Sequence, residues 1–241
     1  MNPVFSLCHP TARPLMWEKT CHAWLANCVD PSQCEYILGI HKRQAELPEL
    51  VPPFKVMYGK ILESLYFSGW PFRRAVINEG DPTMVNNANG VALASVGYVL
   101  VDVNDDLFPC ARWDEALLAA IGDRGLDSEF VIKVSINAPD GTSYHPGIIT
   151  HPIVSSRYFE RVGPTDPRYL GYGCDDDFTA HAYRDGVVIE APQIVFEHRH
   201  WTNGGRPKDA IDEHNGRPEV WERKAELNRE RRAAGFPKVT L

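Results

Sequence analysis

The stretch Tyr98–Pro109, YVLVDVNDDLFP, decides the fold: an apolar strand runs directly into Asn104, Asp105 and Asp106. Crowded carboxylates repel one another and lose hydration when buried. Such a cluster therefore calls for a cation, hydrogen-bond donors or a catalytic task. Ligands of open α/β sheets gather at the carboxyl ends of strands. Oxygen side chains there suit a hard divalent cation, Mg²⁺ or Mn²⁺, bound by one or two carboxylates and by substrate phosphates. On spacing alone, an N-cap for the following helix RWDEALLAAI or a solvated acidic turn accounts for the residues equally well.

Working outward, strands and helices alternate over the first half. Pro3–Cys8 reads as a strand, followed by the loop HPTARP. Trp17, Cys21, Trp24, Leu25 and Cys28 then form a helical stripe, with Pro14 in its first turn. EYILGI (35–40) and RRAVIN (73–78) are further strands, separated by a helix after Phe54. A helix over 82–95 leads into the strand YVLVDV, and the helix 112–121 leads into the strand FVIKVSI. The second half has a helix beginning in DDDFTAHAYRD, strands VVIEA and QIVFEH, and a charged helical tail over 217–232. This alternation predicts an α/β fold with a mixed, mostly parallel sheet flanked by helices.

The chain has 241 residues, with 44% hydrophobic and 24% charged, values of a folded globular protein. A net charge of −7 gives no overall attraction to a polyanion. The run VALASVGYVLVDV has 13 residues, short of the roughly 20 that span a bilayer. The N-terminus lacks the pattern of a signal peptide, so a cytoplasmic location is expected. Six cysteines without a CxxC pair read as reduced core residues rather than zinc ligands, despite His9, His22 and His41 nearby. No GxSxG, GxxxxGK[ST], HExxH or GxGxxG occurs.

Two further clusters carry chemistry. GYGCDDDF (171–178) places Asp175, Asp176 and Asp177 at a helix start. There they can serve as dipole-favoured caps or supply a general base. FEHRHW (196–201) puts His198 and His200 on one face of a strand end, where neutral imidazoles can bind metal or phosphate.

FSLCHPTARP, VINEGDPTMVNNANGVALASVGYVLVDVNDDLFP, HPIVSSRYFERVG and YGCDDDFTAHAYRDGVVIEAPQIVFEHRH, in this order, resemble the family 2-like nucleotide-sugar glycosyltransferases of GT-A fold, of a soluble phage and bacterial type. The resemblance implies a GT-A domain over 1–205 and a helical extension over 206–241 packed on it. It implies that Asn104–Asp106 stand at the DxD signature, with Asp106 on a divalent ion and Asp105 near the sugar or ribose. His198 would be a further metal contact and His200 a substrate contact. Thr11 and Arg13 would hold the nucleotide, and Asn89 matches the asparagine of the central helix. Asp175 aligns best with the catalytic base of inverting members, with Asp176 and Asp177 as rivals.

Two departures stand out. Asn104 replaces the first acid of DxD, and GIHKRQ replaces an acidic pair that reads the nucleobase, with His41 as a stand-in. The implied partners are a nucleoside-diphosphate sugar and an acceptor hydroxyl on a glycan, a protein or a hydroxymethylated DNA base. The rival functions are a GT-A-like nucleotidyltransferase, for which HPTARP is a poor loop, and an inactive nucleotide- or carbohydrate-binding module. Arg223, Lys224, Arg229, Arg231 and Arg232 could lie along DNA, but interleaved acids also fit a solvated helix face.

Overall fold

A computed structural model describes residues 2–13, 16–41, 54–80 and 83–235, with backbone alone at 54–58 and 214. In chain order the elements are β1 (Phe5–Thr11), α1 (Trp17–Ala26), β2 (Cys34–His41), α2 (Phe54–Tyr66), β3 (Phe72–Asn78), α3 (Met84–Ala94), β4 (Val99–Asp102), β5 (Leu107–Phe108), α4 (Trp113–Ile121), β6 (Val131–Asn137), β7 (Ile153–Ser155), α5 (Ser156–Val162), α6 (Cys174–Arg184), β8 (Val188–His198), α7 (Ala210–Asn215) and α8 (Pro218–Ala233). The expected Pro14 and Pro82 positions and Lys42–Gln44 lie outside the described residues.

The strands form one mixed sheet in the order β3-β2-β1-β4-β7-β6-β8-β5. Pairs β1–β2, β1–β4, β2–β3 and β6–β8 are parallel, and β4–β7, β6–β7 and β5–β8 antiparallel. The period-2 alternation of β1 feeds two cores. Phe5 and Leu7 pack with Trp17, Trp24 and Trp113 on one face, and Cys8 with Val91, Leu100 and Tyr158 on the other. The edge-to-face pairs Phe5–Trp113 at 5.2 Å and Trp24–Trp113 at 5.1 Å each add about 0.5–1.5 kcal/mol beyond burial.

Three segments differ from expectation. β1 extends to Thr11 instead of ending at Cys8, pairing in parallel with β2 as far as Thr11↔Ile40. Pro10 is tolerated because its missing N–H points to the β4 side, where pairing has already stopped at Cys8↔Asp102. The expected strands VVIEA and QIVFEH are one strand, β8, with an irregularity opposite Val134 and Ser135 that absorbs Pro192. The stripe of α1 ends before Cys28, because Asp114 accepts the Val29 and Asp30 N–H groups and turns the chain there. The short β7 and α5 were hidden in HPIVSSRYFERVG; the Ser155 hydroxyl accepts the Tyr158 N–H and starts α5.

Two contacts place the site. α3 lies so close to β2 that a Cβ at Gly39 would stand 2.2 Å from Val91 and 2.9 Å from Asn87. α8 docks through Leu227, which packs with Tyr169 and Val85. Among the described residues no helix is long and apolar enough to cross a membrane.

Candidate functional site

The acids after β4 have separate environments. Asp105 is buried and accepts from Thr11 Oγ1 at 2.7 Å, Ala12 N at 3.2 Å and Arg13 N at 3.1 Å, with His9 Nε2 at 3.0 Å. It therefore fastens the end of β1 to the end of β4. The Thr11 hydroxyl is engaged on both sides, donating to Asp105 and accepting from Arg13 N. Asn104 is half-buried, with Nδ2 3.4 Å from His151 Nδ1.

Asp106 is almost fully buried. Oδ1 lies 3.2 Å from His198 Nε2, and Oδ2 accepts from Arg206 Nε at 3.0 Å. Burial acts to raise its carboxyl, but His198, Arg13 and Arg206 outweigh burial and hold it well below the usual range. Arg206 also donates to Asp212 at 2.6 and 2.7 Å, while Arg13 pairs with Asp209 at 2.7 Å and Asp212 at 2.8 Å. The 206–212 segment is thereby locked onto the strand ends. Arg206 and Asp212 pair locally with each other and with Asp209, but their links to Asp106 and Arg13 span about a hundred residues or more and had no sequence signal.

Two ligands of an octahedral ion at about 2.1 Å stand about 3.0 Å apart, close to the Asp106–His198 separation of 3.2 Å. That separation is also the hydrogen bond between them, so the two side chains could share a divalent ion only by giving up that bond. Among the described residues no group of three or more His, Cys, Asp or Glu is gathered for a metal. The protein would supply two ligands only. Burial lowers His198 despite Asp106, and burial pushes His200 down to about 4, so both rings are neutral at pH 7. His200 Nδ1 accepts from Thr202 N at 3.3 Å, which leaves the ring proton on Nε2.

At the start of α6 the three acids part company. Asp176 pairs with Lys224 at 2.9 Å, and Asp177 with Arg231 at 3.2 Å. Among the described residues no cation is within ion-pair distance of Asp175, whose Oδ1 accepts only from Asp176 N. Burial, and then the charge of Asp176, raise its carboxyl, against the pull of Lys224. Gly173 permits this approach: its φ is 93°, and a Cβ there would meet the Lys224 stem at 2.7 Å.

Two cavities meet here. One of about 260 Å³ is lined by Arg13, Asp105, Asp106, His198, His200 and Arg206 among others. A second, of about 510 Å³, runs between α3, α5 and α6, past Asn89, Tyr158 and Phe178. Asn104 and Asp175 line both, so they stand on the shared wall.

Two expected contacts are otherwise engaged. His41 is buried at the end of β2 with Nε2 3.0 Å from Gly80 O, and lines neither cavity. Asn89 uses its amide on the loop after α5, accepting from Thr165 N at 3.0 Å and donating to Thr165 O at 2.7 Å. The asparagine that reaches the β1 end is Asn87, which donates to Thr11 O and Gly39 O at 3.3 Å each. Of the tail's basic residues, Lys224 and Arg231 hold α6, and Arg223 pairs with Glu226.

No family model matches this chain, and no curated protein does. Solved structures do. S. aureus TarS (residues 1–349) superposes with a TM-score of 0.59 at 12% identity over 82% of this chain. The match covers 60% of that structure, less than two thirds of its length. The mannosyltransferase PcManGT from Pyrobaculum calidifontis, solved with GDP-Man and Mn²⁺, gives 0.57 at 13% identity over 98% of this chain and 77% of its own. GalNAc-T7, solved with UDP, GalNAc and Mn²⁺, gives 0.58 at 11% identity over 82% of this chain and 44% of its own. At these identities the likeness establishes architecture: a mixed, mostly parallel sheet between helices, in the GT-A fold of these glycosyltransferases.

Proposed function

We propose that this protein is a glycosyltransferase that moves a sugar from a nucleoside-diphosphate sugar to an acceptor hydroxyl with inversion. The observation that carries this is the shared wall between the cavities. Asp175, alone of its triplet without an ion pair among the described residues, stands there beside a chamber holding Asp106, His198, Arg13 and Arg206. The smaller chamber is lined by Arg13, Arg206 and the neutral His200, and a diphosphate there would take the two guanidiniums in exchange for their present partners Asp209 and Asp212. The fold neighbours solved with UDP or GDP-Man and with Mn²⁺ support the same substrate class.

Asp106 and His198 would hold the divalent ion, Mn²⁺ or Mg²⁺, which when bound neutralises charge on the departing diphosphate. Arg13 and Arg206 orient the phosphates, His200 offers Nε2–H, and Asn104 contacts the sugar from the shared wall. Asp105 and Thr11 shape the nucleotide end through the β1 loop. In a direct displacement, the acceptor oxygen bonds to the anomeric carbon as the bond to the diphosphate oxygen breaks. The hydroxyl proton passes to Asp175, and the nucleoside diphosphate leaves with the bonding pair. The described part of the expected extension, residues 206–235, acts as part of the same domain, since Arg206 and Asp212 complete the chamber. The expected cytoplasmic location is part of this proposal.

Nucleoside-diphosphate release from UDP-, GDP- and CDP-sugars, with and without Mn²⁺, tests the reading. Release from one donor, abolished in Asp106→Ala with a folded protein, is the expected result. Pyrophosphate release from a nucleoside triphosphate would assign the chain to the nucleotidyltransferases instead.

A further inference from the structure

Tyr172 stands three residues before Asp175 and lines the smaller cavity with it. On it lies the indole of Trp221 from α8, with ring centroids 4.7 Å apart and planes 19° from parallel. Trp221 keeps 49% of its surface exposed, although tryptophan is highly buried on average. One turn further along α8, Lys224 holds Asp176 at 2.9 Å, which pins the aromatic pair beside the helix start that carries Asp175. Asp212 and Asn215 line the same cavity as Tyr172; Trp221 stands outside that lining, with Lys224 Nζ 5.6 Å from its ring centre, so the aromatic pair reaches the cavity through Tyr172.

We propose that Tyr172 and Trp221 form the acceptor subsite, and that the acceptor is a carbohydrate whose pyranose ring lies against the exposed indole. This rests on the glycosyl-transfer function proposed above and names the class of its second substrate. A pyranose presents a face of weakly positive C–H bonds, which complements the negative face of an aromatic ring. Its hydroxyl edge complements carboxylate and amide groups. A nucleic-acid acceptor needs cations free to meet phosphates. Of the five basic residues on α8, Lys224, Arg223 and Arg231 are engaged by Asp176, Glu226 and the pair Asp166 and Asp177, while the exposed Arg229 and Arg232 form no ion pair among the described residues; two such cations on a chain of net charge −7 are few for a phosphate backbone.

The test is a ¹⁵N NMR titration of the full chain that follows the Trp221 indole signal, assigned by its disappearance in Trp221→Phe. The probes are neutral oligosaccharides built on glucose, galactose, mannose and N-acetylglucosamine, and a hydroxymethylated DNA duplex. A saturable shift with at least one oligosaccharide is expected. Binding should weaken about tenfold or more, roughly 1.4 kcal/mol, in Trp221→Ala and be partly retained in Trp221→Phe. The spectra themselves show whether each variant is folded. The proposal is overturned if no oligosaccharide moves the signal, if only the duplex does, or if Trp221→Ala binds sugar as well as the wild type. Thermal stabilisation of the wild type by nucleotide sugars, read in parallel, separates failure of donor binding from failure of this acceptor assignment.

Discussion

The two acidic triplets, Asn104-Asp105-Asp106 after β4 and Asp175-Asp176-Asp177 at the start of α6, look alike in sequence and differ in environment. After β4 the partners converge on both acids: Asp105 holds the β1 loop, and Asp106 is kept charged between His198 and Arg206. At α6 the helix α8 pairs with two acids and leaves the third, Asp175, without an ion pair among the described residues; burial raises the carboxyls of both Asp175 and Asp177. A depressed carboxyl is suited to binding a cation or cationic groups, and a raised one is the better proton acceptor. Partners supplied from distant sequence, together with the neighbouring Asp176 charge beside Asp175, set the two environments.

The largest expected effect separates the α6 acids. Asp175→Asn should lower turnover about 10²–10⁴-fold with Tm at pH 7 equal or higher. The sign follows from its raised carboxyl: folding favours the protonated form, so the charged form costs stability once pH exceeds the unfolded value of about 3.9. An equal loss in Asp176→Asn with Asp175→Asn active would erase the distinction drawn between them. Next in size, Arg206→Ala leaves Asp106 and Asp212 buried without their shared cation. Chemical denaturation should then show a loss of about 3–5 kcal/mol; an unchanged midpoint would mean that the C-terminal lock does not hold.

The alternation of elements, the NDD strand end and the acid-rich helix start were legible because each depends on local pattern. β7 and α5 were not, since a three-residue strand and a seven-residue helix carry too few periods to show. The link of Arg13 to Asp209 and Asp212 was invisible for another reason: its members lie up to 199 residues apart, whereas the capping box of Asp209 and Asp212 is a local pattern that sequence reasoning missed. The same limit explains Asn89. Its position on α3 matched a family pattern, but what it bonds, Thr165, is set by how the loop after α5 returns to the helix.

Smaller effects sharpen the contrast. Asn89→Ala should cost about 1–3 kcal/mol in denaturation by leaving the Thr165 backbone groups without partners. Acidification should act oppositely on the two regions. Burial tends to raise Asp209, but Arg13 prevails and brings it down to about 2. The stability that Asp106 and Asp209 contribute is therefore complete above about 3.9 and lost as pH falls through their lower folded values. Asp175 regains stability over the same descent, so Asp175→Asn should steepen the acid transition of Tm. Smallest is Lys224→Ala: its cation lowers Asp175, so the acid limb of the turnover profile should move to higher pH. An unmoved limb would detach α8 from the titration of the base.

The central claim is that the chamber of Asp106, His198, Arg13 and Arg206 binds a nucleoside-diphosphate sugar. Thermal unfolding with UDP-, GDP- and CDP-sugars, each with and without Mn²⁺ or Mg²⁺, tests it most directly, because a ligand of the folded state must raise apparent stability. The account predicts a metal-dependent rise with one donor, lost in Asp106→Ala. Unchanged unfolding with every donor and both metals would contradict it.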